Sequence, residues 1–433
     1  VPPGLSGPAA GAIGAVHIAR SADKPNVITL DMGGTSADVA LIREYRADIS
    51  FDREVAGFPI RLPAVDIETV GAGGGSIAWF DRDGLLKVGP LSAGAEPGPA
   101  CYNRGGHRPT VTDANLILGR LSQGGLLGGE MELNTSLAQH SFENIAGQLG
   151  FSIEKTAHGV LGVVVANMVR AIRTISVERG HDPRNFVLMP FGGAGPLHAR
   201  DVAVSLGIEQ ILVPAAPGIV CAQGLVVSDI KEDFVTSERL TVSRDNRTQF
   251  QERIKGLLTQ TAHWFEQEKI APDRKQLELT LDARYVGQNF ELSVPVVSGP
   301  SIEIDALPDH IGLRERFFTV HEQAYGYFNP DDAVEIINFR LTARGQLYRG
   351  NPSLQESQSG QPPPSIGERA IYFEPNHSTA SGVYARSALR AGHCIEGPAV
   401  IEQLDTTTLI YPGDHAKVDS GGNILIRINR VET

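Results

Sequence analysis

Residues 27–41 read Val27-Ile28-Thr29-Leu30-Asp31-Met32-Gly33-Gly34-Thr35-Ser36-Ala37-Asp38-Val39-Ala40-Leu41. An apolar strand runs into an acid, two glycines, two hydroxyls and a second acid, and a second apolar strand follows. This spells a hairpin with a bare turn at its tip. The glycines predict a tight turn with positive φ and exposed backbone N–H groups. Thr35 and Ser36 add hydroxyl donors at the same place. Asp31 stands where the strand stops, suited to hold a metal ion such as Mg²⁺ through oxygen, or a water. The pattern is a phosphate grip with a metal or water site beside it. A plain tight hairpin, with Asp38 bonding backbone amides, is the alternative.

A second unit of the same kind lies at 186–198. Phe186-Val187-Leu188-Met189-Pro190-Phe191 is strand-like, Gly192-Gly193-Ala194-Gly195-Pro196 is a glycine turn, and a helix is expected over 197–206. Bare glycine before a helix N-terminus suits a bound anion, and a packing turn is the other reading. Neither turn is a Walker loop, because no Gly-Lys-Ser/Thr follows. Neither fits GxGxxG, since Ser76 and His198 occupy the last position at 71–76 and 193–198. The run Gly71-Ala72-Gly73-Gly74-Gly75-Ser76 is either a third anion nest or a flexible turn. Glu96, Asp113, His181 and His198 stand beside these loops as candidate polar side chains, and Asp113 also reads as a helix N-cap. Cys101 sits in a Pro/Gly loop with no base nominated for it.

The rest of the composition narrows the choices. The 433 residues carry a net charge of −12 without a Lys/Arg run, which argues against nucleic acid or an anionic membrane as partner. Any phosphate must therefore be held locally, by amides and a metal ion. Three cysteines, Cys101, Cys221 and Cys394, are widely spaced and suggest neither a disulfide framework nor a zinc site. A reducing cytoplasm is the expected setting. No run of about 18 apolar residues reads as a membrane span.

Periodicity organises the chain into segments. Ser6 to Val16 is a helix of small residues, capped by Ser6 with Pro8 in its first turn, expected to press close to another backbone. The clearest helix spans about 156–179, with Leu161, Val164, Val165, Met168, Ile172 and Ile175 on one face. Thr112-Asp113-Ala114-Asn115 is expected to open a shorter one. The strand–helix–strand order over 186–213 reads as α/β with a mainly buried sheet. An amphipathic helix at 248–269 starts an α+β region to about 350, residues 351–365 look like a linker, and 366–433 reads as a separate β-rich domain. The expected domains are therefore 1–245, 246–350 and 366–433.

Taken together, these segments resemble the hydantoinase A/oxoprolinase family. The stretches that carry the resemblance are DMGGTSADVALI (31–42), GAGGGSIAW (71–79), SAGAEPGPACY (92–102), PTVTDANLILGRL (109–121), ERGHDPRNF (178–186), FGGAGPLHA (191–199), PGIVCAQGLVVSDIKEDF (217–234), ARYVGQNFEL (283–292), HEQAYGYF (321–328) and GPAVIEQLDTTT (397–408). They cover nearly the whole chain. The resemblance implies an actin-like ATPase (ribonuclease H-like) lobe with a C-terminal β-rich α+β region. It implies ATP and Mg²⁺, a cyclic amide such as a hydantoin or 5-oxoproline as substrate, and a B-type hydantoinase subunit in a homo- or hetero-oligomer. Related chains are subunits of ATP-dependent ketone carboxylases. On this likeness Gly33, Gly34, Thr35 and Ser36 bind phosphate, Asp31 positions Mg²⁺ or water, and Asp38 orients the turn or adds a metal ligand. Gly192, Gly193, Ala194 and Gly195 shape the nucleotide pocket. Gly73, Gly74, Gly75, Glu96 and Asp113 are weaker substrate candidates, and His181 and His198 weaker metal candidates. Family chains usually start with a further DxGGTxTD-like turn. The resemblance therefore implies that a first half-lobe lies outside this sequence, and a non-catalytic binding module remains the alternative for the chain alone.

Overall fold

The computed structural model describes residues 7–50, 53–55, 58–60, 64–346 and 363–429. The linker expected at 351–365 and the capping role expected of Ser6 fall largely or wholly outside the described residues. The chain divides into two compact units, one formed by residues 4–226 with 351–433, the other by 227–350.

The first unit begins with α1 (Gly7–Ser21), whose buried face is Ala10, Gly11, Gly14 and Ala15. Then come β1 (Val27–Met32), β2 (Ala37–Arg43) and β3 (Ile67–Val70). The helical layer is α2 (Val111–Ile117), α3 (Thr135–Leu149) and α4 (Ile153–Ile175). A second run follows: β4 (Val187–Phe191), α5 (Gly195–Leu206), β5 (Gln210–Val213) and α6 (Val220–Val227). In the sheet β1 pairs antiparallel with β2 and parallel with β4, and β4 pairs parallel with β5. β3 joins the far side of β2. The resulting spatial order is 3-2-1-4-5.

Alternation along β1 sorts its side chains onto two faces. Ile28, Leu30 and Met32 join the large core built with α2 to α5. Val27 joins a smaller core with Ala15, Phe191 and Val220 on the α1 and α6 side. Asp31 shares the parity of Val27 and so faces α1 and α6. The small residues of α1 do what their pattern anticipates. A Cβ on Gly14 would stand 2.4 Å from the Val220 carbonyl, and one on Gly224 would stand 1.8 Å from that of Ala10. By length and composition, the segment Ile153–Arg179 could cross a membrane, but α4 lies inside the core, with Val160, Val164, Met168 and Ile172 wholly buried.

The second unit is a four-stranded antiparallel sheet covered by two helices. Its elements are β6 (Ile230–Thr241), α7 (Arg247–Gln267), β7 (Lys275–Tyr285), β8 (Leu292–Gly299), α8 (His310–Tyr325) and β9 (Val334–Gly345). The strand order is β6-β9-β7-β8. Phe250, Ile254 and Leu257 of α7 and Phe317 of α8 fill its core.

The tail corrects the expected domain plan. β10 (Gly367–Glu374), β11 (His377–Ala385), β12 (Ala399–Glu402) and β13 (Thr407–Ile410) form a small sheet of their own. However, β14 (His415–Val418) and β15 (Ile424–Arg427) extend the first unit's large sheet, with β15 antiparallel to β5. The tail is thus no separate domain. β5 would otherwise present an unpaired row of N–H and C=O groups, and β15 satisfies them. The boundary expected at 245 lies at 226–227.

Candidate functional site: two glycine turns on one cavity

The two glycine turns meet at the ends of β1 and β4. The Ala194 amide donates to the Met32 carbonyl at 3.0 Å, tying the second turn to the end of β1. Gly192 has φ +75°, and a Cβ there would stand 2.5 Å from Asp31 Oδ1 and 2.6 Å from the Met32 carbonyl. That position needs glycine on both counts. Gly195 opens α5, where a Cβ would meet the Leu30 carbonyl at 3.0 Å.

Gly33 and Gly34 behave differently, and here the expected positive φ is corrected. Neither has one, and a Cβ on either would meet nothing within 4 Å. Chain packing does not demand glycine here. The bareness faces a cavity of about 920 Å³ lined by Gly33, Gly34, Gly74, Gly193 and Ala194. Thr35 is exposed and Ser36 half-buried at the turn, and neither lines that cavity.

The run 71–76 clasps this turn. Gly74 N donates to the Gly33 carbonyl at 3.0 Å and Gly75 N to that of Gly34 at 2.6 Å, while Gly73 N donates to Ser76 Oγ at 2.8 Å. A Cβ on Gly73 would stand 2.5 Å from the backbone of Thr35. Two of these amides are committed to the hairpin and the third to Ser76, so none of the three is free for an anion.

Asp31 pairs across the hairpin with Asp38. Its Oδ2 accepts from Cys221 Sγ at 3.3 Å, and Asp38 Oδ1 accepts from Thr69 Oγ1. Burial raises the Asp31 pKa, opposed by the Cys221 hydrogen bond and reinforced by the Asp38 charge. The Cys221 thiol is itself pushed up to about 12 by burial and by Asp31, so it is a donor rather than a nucleophile. Among the described residues no cationic side chain pairs with either carboxylate, which fits a divalent ion held by one or two carboxylates with waters and phosphate oxygens. Among the described residues no three His, Cys, Asp or Glu side chains come together as a metal cluster. His181 and His198 therefore join no such group.

His198 is wholly buried, with Nε2 3.3 Å from Asn115 Nδ2. Burial and the Arg120 charge hold its pKa at about 3, so it stays neutral. Asp113 is also fully buried, and its role differs from both expectations. Thr110 is the N-cap of α2, and Asp113 closes a capping box with it. The Asp113 carboxylate accepts from Thr110 N at 3.0 Å, Thr110 Oγ1 at 2.7 Å, Cys101 N at 2.7 Å and Ala100 N at 3.2 Å. It is saturated by its own chain and leaves nothing for a substrate. Cys101 is buried against it, and burial drives that thiol's pKa far upward. Glu96 is exposed and does not line the cavity.

Residues that the sequence reading did not nominate complete the cavity. Thr112 and Asn115 of α2 line one wall. Arg386, Asp405 and Thr406 of the tail line another. Thr406 Oγ1 donates to the Gly193 carbonyl at 3.0 Å, and the Gly218 amide donates to Asp405 Oδ2 at 2.7 Å. Burial lowers the Arg386 pKa; its Nη2 donates to the Gly422 carbonyl, and among the described residues its Nε has no hydrogen-bond partner.

The 3-2-1-4-5 sheet, with glycine turns closing β1 and preceding α5, defines an actin-like ATPase (ribonuclease H-like) lobe, here joined to a β-rich α+β region. The chain belongs to the hydantoinase/oxoprolinase family. That family's description matches residues 4–234, and its C-terminal domain matches 239–427. The alpha subunit of caprolactamase from Pseudomonas jessenii is 36% identical over 96% of this chain and 60% of that subunit. The solved ATP-dependent caprolactamase of that organism aligns with a TM-score of 0.75 and 34% identity, over 97% of this chain and 61% of that one. The nucleotide-free structure of acetone carboxylase, described as ATP-dependent, aligns with a TM-score of 0.86 and 26% identity, over 98% of this chain and 61% of that one. The chain thus spans about 60% of the length of these relatives.

Proposed function

We propose that this chain forms the phosphate-gripping part of an enzyme that uses ATP to open a cyclic amide. The observation that carries the reading is the pair Gly33 and Gly34. Neither is required by φ or by packing, and both border the cavity shared with the second glycine turn. Glycine kept where the fold tolerates a side chain supports close approach by a ligand.

ATP would supply a phosphoryl group that makes an unreactive amide carbonyl open to attack by water. Phosphoryl transfer rests on positioning and charge neutralisation and needs no covalent protein nucleophile. The chain's own groups match that need. The turn presents side-chain-free backbone at Gly33 and Gly34, with the Gly33 amide donating to the Ser36 carbonyl at 3.1 Å. The Thr35 and Ser36 hydroxyls stand outside the cavity lining, and the Gly74 and Gly75 amides tie the turn down. Asp31 and Asp38 do not line that cavity; from the α1 and α6 side of the same hairpin they would hold Mg²⁺, which neutralises phosphate charge when bound. Gly193, Ala194, Asn115 and Thr406 shape the recess beside the turn for the rest of the nucleotide. The likeness to a protein named as a caprolactamase subunit alpha supports a lactam-type ring and a second kind of subunit. A homo- or hetero-oligomer with a B-type subunit follows as part of the same proposal.

A second reading, ATP-dependent carboxylation of a ketone, is favoured by the close structural likeness to acetone carboxylase. Both readings use the same turns. The deciding experiment measures ATP consumption by the full-length protein with its partner subunit. One arm supplies lactams, hydantoins or 5-oxoproline, and the other supplies ketones with bicarbonate. Consumption driven only by the ketone arm replaces the first reading by the second. Calorimetry with Mg-ATP tests the shared part, and absence of binding by the assembled protein overturns both.

A further inference from the structure

A second cavity, of about 630 Å³, opens between α4 and α5. It takes no part in the reading above. Four guanidinium groups line it, those of Arg120, Arg170, Arg173 and Arg200, against one carboxylate, that of Asp201.

Arg120 reaches it from the turn after α2 and is 1% exposed. Its Nη1 lies 3.4 Å from Asp201 Oδ2, the oxygen that also accepts from the Tyr411 hydroxyl at 2.8 Å. Arg120 Nε has no hydrogen-bond partner. Arg200 lies over the Tyr411 ring, its guanidinium carbon 4.7 Å from the ring centre. It pairs with Asp414, with Nε 3.4 Å from Oδ2. Burial raises the Asp414 pKa, opposed by the Asn429 amide and by the Arg200 guanidinium. Arg170 and Arg173 are exposed at the rim, where Arg170 Nη2 donates to Asn167 Oδ1 at 3.0 Å.

Asp201 serves Arg120 and Asp414 serves Arg200, so four guanidinium groups stand against two carboxylates and the cavity keeps an excess of positive charge. Guanidinium forks match a carboxylate in two-point geometry. Val165 and Val169 of α4 and Val204 of α5 give the remaining wall an apolar strip, beside His158, whose Nε2 lies 3.1 Å from the Phe373 carbonyl, and Ser205, whose hydroxyl donates to the Asp201 carbonyl at 2.8 Å. A bare phosphate would satisfy the arginines and waste that surface. We propose that this cavity binds a short-chain aliphatic carboxylate, its head on Arg120 and Arg200 and its chain along Val165, Val169 and Val204. The volume is within the range of small-ligand sites.

The test is a calorimetric titration of the full protein with hexanoate, acetate, hexylamine and inorganic phosphate. Saturable one-site binding of hexanoate is expected, with acetate about tenfold weaker or worse and no binding of hexylamine. Arg200→Gln should weaken hexanoate about tenfold, whereas Arg173→Gln, at the exposed rim and outside the head site, should weaken it only a few-fold with thermal unfolding as in the wild type. Arg386→Gln, in the glycine-turn cavity, should leave hexanoate affinity unchanged. The proposal fails if hexanoate does not saturate or if phosphate binds as tightly as hexanoate. It also fails if hexanoate affinity depends on Arg386 and not on Arg200.

Discussion

The thiol of Cys221 donates a hydrogen bond to Asp31 across 3.3 Å, joining α6 to the last residues of β1. This contact orients the Asp31 carboxylate at the end of β1, across the hairpin from Asp38. It also explains why Gly11 of α1 is small, since a Cβ there would stand 3.0 Å from the same sulfur. α1, α6 and the hairpin thus form one packed layer around Asp31, on the sheet face opposite the large core.

Asp31→Asn should separate activity from stability. Its raised pKa means that the folded chain favours the protonated carboxyl. The stability from that group is full below the ordinary carboxyl value and is lost as pH rises through the folded value. At neutral pH the ionised side chain is therefore a cost to the fold. Asn should match or exceed wild-type thermal stability at pH 7, with the difference closing in acid. ATP-dependent turnover of the assembled enzyme should fall about a hundredfold or more, as expected when a group aligning the transferred phosphoryl charge is lost. Wild-type turnover in Asp31→Asn would remove Asp31 from the mechanism.

The glycines of the two turns should respond in opposite ways. Gly34→Ala meets no atom of the chain and should change stability by no more than about 0.5 kcal/mol, yet weaken Mg-ATP binding about tenfold. Gly192→Ala forces a residue with φ +75° and a Cβ 2.5 Å from Asp31, and should cost about 1–3 kcal/mol. Chemical denaturation of both variants, paired with calorimetry, distinguishes them. A large stability loss in Gly34→Ala would mean that packing, not a ligand, holds that position bare.

The hairpin, the second glycine turn and α4 were legible in the sequence because each is a local pattern. Near-continuous apolar runs end before Asp31 and after Phe191, glycines follow, and α4 repeats its apolar face every turn. The tail was not legible in this way. β15 reaches β5 across more than two hundred residues, and nothing in Ile424–Arg427 names its partner. The same distance hid Arg386, Asp405 and Thr406 from the site. Asp113 was misread for a different reason. Thr110-Val111-Thr112-Asp113 carries a capping-box pattern, so the N-cap is Thr110, three residues before Asp113. Cys221 offered no signal, because a single thiol says nothing of what it approaches.

Asp113→Ala should behave as a structural lesion. Four donors within 3.2 Å lose their acceptor, two of them amides of the 100–101 turn. The cost should be about 3 kcal/mol or more, with the capping loss and the stranded amides both contributing. Asp113→Asn, which keeps an acceptor oxygen, should cost less. Denaturant midpoints for the pair measure this, and the residual Mg-ATP affinity of folded Asp113→Asn should stay within a few-fold of wild type. A selective loss of turnover in a fully stable Asp113→Asn would return this residue to the reacting groups.

His198 gives the chain a defined acid sensitivity. Burial and Arg120 hold its folded pKa at about 3, below the ordinary value of 6.5. Between those values the unfolded chain binds a proton that the folded chain refuses. Its contribution to stability is therefore full above pH 6.5 and lost as pH falls toward 3, at up to about 1.4 kcal/mol per pH unit. Replacing it with Gln, which keeps a polar contact to Asn115 but cannot titrate, should flatten the stability profile by one proton's worth over that window. Denaturant unfolding of both proteins at successive pH values reads the difference in slope. Parallel slopes would show that His198 is protonated in the folded chain, in conflict with its place beside Arg120.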